Sequence, residues 1–211
     1  MSNKIITISR EFGSGGRTVG KLVAEKLGIP CYDQQIIEKI AEESGLAKEY
    51  IQERGEYMPS SSWIANALSV RTIGGMRSED QLWSSQCKVI MDLANKGPCV
   101  IVGRCADHIL RGEHELLTVF VHAPMEKRAE RIVRLYGESD VAVEKRLADK
   151  DKRRKAYYQL YTDTEWGIAK NYDICLDSSV IGTQKCADII VDLYKSDLPV
   201  CYKDDDGKLS K

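Results

Sequence analysis

The chain has 211 residues, which suits one compact α/β domain with room for a lid or an insert. Its formal net charge is −1, so no global pull toward nucleic acid or membrane is expected, and recognition must come from local clusters. No apolar run approaches the roughly 18 residues of a membrane span, and the opening MSNKIITIS lacks the apolar segment of a secretion signal. A cytoplasmic protein is therefore expected. The cysteines, at 31, 87, 99, 105, 175, 186 and 201, form no Cys-x-x-Cys pair and mostly sit in apolar runs. Reduced buried thiols fit that pattern better than a metal site.

KIITIS (4–9) is apolar and β-branched and reads as a buried first strand. A glycine-rich turn follows. Val19, Leu22, Val23 and Leu27 then recur at helical spacing, with Gly28 as the stop. IPCYD (29–33) reads as a second strand, and QQIIEKIAEESG (34–45) as a helix with Ile36, Ile37, Ile40 and Ala41 on one face. Residues 46–77 are irregular, with Pro59, a serine run and a glycine pair. A stronger helix spans 78–97, with Ser78 placed to cap it, Glu79 and Asp80 near its positive end, and Gly97 ending it. CVIVG (99–103) and LLTVFVHA (116–123) read as buried strands. PMEKRAERIVRLYG predicts a helix started by Pro124 and stopped by Gly137. A long charged helix is expected over 141–167, a fifth strand over 172–179 and a last helix in TQKCADIIVDLYK. The tail DDDGKLSK reads as disordered.

Strands alternating with helices predict a parallel sheet covered on both faces. In such sheets ligands bind beyond the carboxyl ends of the strands. Here those ends are Ser9-Arg10, Asp33, Gly103-Arg104, Ala123 and Asp177-Ser178.

The first of them opens the segment REFGSGGRT. A glycine turn between strand and helix aims backbone N–H groups at phosphate oxygens, and the positive end of the helix adds to the attraction. The usual pattern is G-x-x-x-x-G-K-[ST], whose lysine reaches the β- and γ-phosphates and whose hydroxyl holds Mg²⁺. Gly13, Ser14, Gly15 and Gly16 supply the turn, but the lysine is missing. Two registers fit. In one, Gly16-Arg17-Thr18 stands for Gly-Lys-Thr, with Glu11 at the first glycine; Arg17 replaces the lysine and Thr18 keeps the metal hydroxyl. In the other, Gly13-Ser14-Gly15 supplies the Gly-x-Gly, Gly16 falls at the lysine, Arg17 at the hydroxyl position and Arg10 at the first glycine. The first keeps more chemistry, because a guanidinium binds phosphate as a fork.

Other charged groups cluster at the same sheet edge. Arg104 follows a glycine at the end of a buried strand, where it suits either a phosphate contact or a structural ion pair. Arg128, Arg131 and Arg134 lie three apart on one helix, either as an anion-facing stripe or as a solvated face held by Glu126 and Glu130. Lys150, Arg153, Arg154 and Tyr157 share a helix face, and such crowded cations need an anion or the nearby Asp149 and Asp151. A basic helix closing over phosphates is one reading of it, and RNA binding the rival. Asp33 suits either substrate contact or helix capping, and Lys39, six residues on, is placed to reach an incoming phosphate. His108, His114 and His122 have no metal or triad spacing.

Taken together, SREFGSGGRTVGKLVAEKLGIPCYD, Gly103-Arg104, APMEKRAERIVR, DKRRKAYY and YDICLDSS resemble the nucleoside monophosphate kinases, most closely the cytidylate kinase-like family, from Ile5 to about Tyr194. The resemblance implies an α/β P-loop three-layer fold with a five-stranded parallel sheet, a helical acceptor-binding insert and a lid. It implies one kinase-like domain over 1–196, with 46–97 holding the acceptor, 137–157 forming the lid and 197–211 a flexible tail. It implies ATP and Mg²⁺ as cofactors. Asp33, Lys39 and Arg104 match the family's acceptor contacts, and Arg131, Arg153 and Arg154 its lid arginines. The chain departs from cytidylate kinases proper in lacking the loop lysine and in placing Val102 and Cys105 where two aspartates flank Gly-Arg; Asp107 lies two residues further on.

The expected activity is transfer of the ATP γ-phosphoryl group to a small acceptor, a nucleoside monophosphate such as CMP. Gly13, Ser14, Gly15, Gly16, Arg17 and Thr18 would bind the cofactor. Arg17, Arg104, Arg131, Arg153 and Arg154 would act in catalysis, and Thr18 would hold Mg²⁺. The alternative is a degenerate kinase that senses a nucleotide without turnover. A small-molecule nucleotide is the expected partner, without nucleic acid or membrane. Trp63, Trp83 and the apolar insert leave a homodimer open.

Overall fold

The apolar run after Lys4 becomes strand β1 (Lys4–Arg10), in which only the two end residues reach solvent. Burial on both faces is what a central parallel strand requires, and it explains the near-continuous β-branched sequence. The computed structural model describes residues 4–33, 36, 39–40, 42–43, 45 and 78–196, together with 202–203 and 209–210.

From β1 the chain passes through the glycine turn into α1 (Gly16–Leu27) and β2 (Cys31–Tyr32). Then come α2 (Ser78–Asn95), β3 (Val100–Val102), a short α3 (Ala106–Ile109) and β4 (Glu115–His122). Helices α4 (Met125–Tyr136) and α5 (Val143–Thr162) follow, then β5 (Ile174–Asp177) and α6 (Ser178–Lys195). The five strands run in the order β2-β3-β1-β4-β5. Every pairing is parallel, with Ile6 opposite both Val100 and Leu117, and Ile8 opposite both Val102 and Val119. This is the expected five-stranded parallel sheet.

Alternation along the strands separates two cores. Ile6, Ile8, Val100, Val102 and Val119 face α1 and α6, meeting Val19, Val23, Ala187 and Ile190. Ile5, Ile101 and Leu116 face the other way, onto Val89, Ile90 and Leu93 of α2 and onto Ile36 and Ile40. Helix, sheet and helix make the three layers. Gly20 lets α1 lie close on the sheet: a Cβ there would come within 2.8 Å of Val102 Cγ2.

Several boundaries differ from the sequence expectation. Pro124 caps α4 instead of beginning it, while Gly137 ends it as expected. Helix α5 stops at Thr162, short of 167, because Asp163 turns into the left-handed region with φ 52°. Gly182, with φ 75°, interrupts α6 near its start. The single turn α3 had no periodic signal in the sequence. Tyr202–Lys203 and Leu209–Ser210 pair antiparallel within the tail expected to be disordered. The expectations for 46–77, for Trp63 and for Cys201 lie outside the described residues. Trp83 stacks on Tyr161, with ring centroids 4.2 Å apart.

Candidate functional site

The glycine turn sits between the end of β1 and the start of α1. Gly13 and Gly15 have φ of 83° and 84°, a region that side-chain-bearing residues rarely adopt. Gly15 is the N-cap of α1, and no side chain caps the helix. The first N–H groups of a helix have no intrahelical partner, so here they are presented to whatever occupies the cavity above them. Ser14 points the other way. Its hydroxyl is shared between the carbonyls of Glu11 (2.9 Å) and Val121 (3.0 Å), and its own carbonyl accepts from Ser178 Oγ. Ser14 therefore shapes the loop from within, and only its backbone is available to a ligand.

A buried charge network fixes the loop against α4 and α5. Arg128 lies inside, 6 % exposed. Its Nε donates to Ala123 O at 2.9 Å, and its Nη1 donates to Phe12 O at 3.1 Å and to Asp151 Oδ2 at 2.5 Å. Asp151 Oδ1 accepts from the Phe12 backbone N–H at 2.7 Å. Glu11 completes the network: its Oε2 accepts from Ala123 N at 3.1 Å and lies 3.4 Å from Arg128 Nε. Arg154 and Lys150 of α5 lie over the Phe12 ring, at 5.7 and 5.8 Å.

Above the loop is a cavity of about 360 Å³ beyond the carboxyl ends of β1, β2 and β3. Arg10, Arg17, Arg104, Arg131 and Arg154 line it, against the carboxylates Glu11 and Asp33. Gly103, Arg104 and Cys105 are three consecutive residues with positive φ (77°, 63° and 54°). The left-handed conformation costs a non-glycine residue about 1–2 kcal/mol, so this turn is held against local preference. Part of the hold is Gln86, fully buried, whose Nε2 donates to Arg104 O at 3.0 Å. Arg104 is 5 % exposed, and its Nη1 is buried without a hydrogen-bond acceptor. Arg104 lines the cavity, and a buried cation there favours an anion beside it.

The other expected residues divide. Arg17 lines the cavity with its Nε in an ion pair with Asp33 Oδ2. Arg131 Nη2 donates to Thr18 Oγ1 at 3.2 Å. Burial holds the Arg131 guanidinium below its ordinary pKa, and the charge of Arg134 adds to the effect. Arg154 is buried and donates through Nη1 to Arg10 O at 3.1 Å. Arg153 is half-buried, paired with Asp149 at 2.9 Å, and does not line the cavity. Lys39 lines a separate pocket of about 100 Å³ with Glu42, Glu43, Asp92 and Lys96. Asp107 is buried and accepts from Tyr158 OH at 2.6 Å; burial pushes its carboxyl up, and it too is outside the cavity wall. The acids that line the cavity along with Thr18 are thus Glu11 and Asp33. Among the described residues, no group of three or more His, Cys, Asp or Glu side chains is placed to hold a metal ion.

Arg10, Phe12 and Asp151 entered the sequence reading only at its margins. Arg10 was visible as a strand end and Asp151 as an acid among cations. Phe12 carried no signal, because one aromatic residue in a glycine turn has no pattern around it.

A polar, cation-lined cavity over an uncapped helix end suits a polyphosphate. The comparisons with known proteins agree. Residues 5–180 match the model of the cytidylate kinase-like family. A cytidylate kinase of Pyrococcus horikoshii is 28% identical over 183 residues, covering 86% of this chain and 80% of that protein. The crystal structure of an uncharacterized protein from Eubacterium ventriosum is 26% identical with a TM-score of 0.70, covering 92% of this chain and 99% of that one. Shikimate kinase from Acinetobacter baumannii, 17% identical with a TM-score of 0.51 over 92% of this chain and 93% of its own, shares the fold. No described helix is long and apolar enough to cross a membrane. With the parallel sheet, the glycine loop and a family match over most of its length, this chain belongs to the cytidylate kinase-like family and carries its kinase-like, nucleotide-binding P-loop fold.

Proposed function

We propose that the protein is an ATP-dependent phosphotransferase that moves the γ-phosphoryl group to a nucleoside monophosphate, with CMP the first candidate. The observation that carries the reading is one cavity lined both by the uncapped start of α1 and by the buried Arg104. A donor triphosphate and an acceptor phosphate need two such positively charged features within one cavity.

The backbone of Gly13, Gly15 and Gly16 would hold the donor phosphates. Arg104 would hold the acceptor with Asp33, and 46–97 would help to bind it, while Lys39 lines a separate pocket. Arg154 would neutralise charge on the transferring group. Catalysis of this kind is mostly positioning and charge stabilisation, so a wall of fixed arginines suits it. Thr18 offers the hydroxyl for Mg²⁺, which when bound neutralises charge on the β- and γ-oxygens.

The test is ADP release from ATP and Mg²⁺ with a panel of monophosphates. Acceptor-dependent release, strongest with CMP, supports the reading; no release above the ATP-only blank with any acceptor overturns it. The second reading, a nucleotide sensor, is favoured by the absent loop lysine and by the ties of Arg17 to Asp33 and of Asp107 to Tyr158. ATP that raises the melting temperature without any turnover would select it.

A further inference from the structure

We infer that the cation missing from the loop is supplied from α4: Arg131 holds the polyphosphate of the bound nucleoside triphosphate, while Arg17 serves the acceptor side with Asp33. This rests on the reading that ATP occupies the glycine loop.

Neither register of the loop leaves a local lysine substitute over the helix end. Gly16 has no side chain, and even a Cβ there would come within 2.5 Å of Arg10 Cβ. Arg17 is directed to Asp33. The space above the loop is filled from outside the loop. Arg131 Cζ lies only 2.8 Å from where a Cβ on Gly15 would be, and Nη2 lies 3.0 Å from that point and 3.2 Å from Thr18 Oγ1. The guanidinium therefore covers the last glycine of the turn and the first turn of α1. Gly15 is glycine for its φ of 84°, and the missing side chain leaves the space that the Arg131 guanidinium fills.

Its neighbours on α4 have other work. Arg128 is bound by Asp151 and Glu11, and Lys127 pairs with Glu130 at 2.9 Å. Among the described residues no carboxylate pairs with Arg131, whose contact at Thr18 is a hydroxyl. A phosphate oxygen is a much stronger acceptor for a guanidinium than a hydroxyl, so the present bond gives way to a bound polyphosphate. The helix that carries Arg131 is itself fixed to the loop through Arg128, so the cation is held in register with the turn although it belongs to another element.

The test is ATP affinity, measured calorimetrically with Mg²⁺ on the full chain, for wild type, Arg131→Ala, Arg131→Lys and Arg17→Ala. Unliganded melting curves show whether each variant is folded. Arg131→Ala is expected to weaken ATP by at least about tenfold, the loss of one charge-assisted phosphate contact, and Arg131→Lys to recover part of it. Arg17→Ala is expected to change ATP affinity less than about threefold and to raise KM for CMP instead. Wild-type affinity in folded Arg131→Ala overturns the assignment of Arg131 alone, as does a larger ATP defect in Arg17→Ala. Failure of the wild type to bind ATP overturns the proposed function, and this inference with it.

Discussion

Asp151 makes two hydrogen bonds, one to the loop and one to α4, and a longer ion pair within α5, and Asp151→Ala removes them together. Its Oδ2 holds Arg128 Nη1 at 2.5 Å, its Oδ1 holds the Phe12 N–H at 2.7 Å, and Arg154 Nη1 lies 3.9 Å away. Arg128 is 6 % exposed, so the variant leaves a buried guanidinium with only the Phe12 and Ala123 carbonyls and the more distant Glu11. Breaking a buried pair from one side costs about 3–5 kcal/mol, because the remaining charge is uncompensated. An orphaned buried N–H costs a further ~1–3 kcal/mol, though the two overlap because they share one carboxylate. Taking about 3–5 kcal/mol as the net, and about 2–4 °C per kcal/mol for a chain of this size, the melting temperature should fall by roughly 6–20 °C. Thermal unfolding by circular dichroism reads the loss, and calorimetry reads the accompanying fall in ATP affinity. Asp151→Asn should lose less, since an amide oxygen still accepts from Phe12. A melting temperature within about 2 °C of wild type for Asp151→Ala would refute the claim that this network fixes the loop.

Gly16→Ala places a Cβ 2.5 Å from Arg10 Cβ and 3.3 Å from Val121 Cβ; overpacking of about 1–3 kcal/mol should lower the melting temperature by roughly 2–12 °C, and an unchanged value would show that Arg10 yields freely. Tyr158→Phe should make stability more sensitive to pH. The Asp107 carboxyl is raised above 3.8 by burial, so its contribution to stability declines as pH rises through that unfolded value toward the folded one. The Tyr158 hydroxyl opposes the rise. Removing it should widen the melting-temperature gap to wild type between about pH 4 and about pH 8, and a gap constant across that range would contradict the assignment.

Strands were legible because a parallel sheet buries both faces of β1, β3 and β4 and so demands unbroken apolar runs. Helix starts and stops were legible where glycine or proline marked them, as at Gly28, Pro124 and Gly137. Strand order was not, since no periodicity encodes which strand lies between which. The side-chain roles were half legible. Arg128 and Arg131 are three apart on α4 and look equivalent in sequence, yet one is sealed under the loop and the other lies over Gly15. Arg153 and Arg154 are adjacent, and about 100° of helical rotation sends one to Asp149 on the surface and the other to the cavity wall. Which side of a helix faces the site depends on how α4 and α5 dock, and docking is set by contacts distant in sequence. Asp107 shows the same limit. It lies two residues beyond the place of an aspartate in cytidylate kinases proper, and after a turn of three left-handed residues its carboxylate is bonded to Tyr158, outside the cavity wall.

A loop that carries its own lysine moves the cation wherever the loop goes. Here, besides Arg17, the cations come from β1, the turn after β3, α4 and α5, so the electrostatic field at the loop depends on how those elements sit relative to it. The apolar contacts beneath them matter for that reason. Phe12 of the loop packs against a small core formed by Ala129 and Ile132 of α4 and Leu147 of α5, with Val143 at its edge. Ile132 follows Arg131 directly, and Leu147 precedes Asp151 by one helical turn. Any shift of α5 that opens this core also draws Asp151 from the Phe12 N–H and Arg154 from Arg10 O. Loop geometry and cation placement therefore change together, and phosphate affinity in this protein should respond to mutations in that core even at Leu147, which does not line the cavity. Leu147→Ala, a fully buried residue, is the direct case. A cavity cost of about 2–5 kcal/mol in stability is expected. The coupling adds a loss of ATP affinity under conditions where the variant remains folded. Normal ATP affinity in the folded variant would mean that the cations hold their positions without the core.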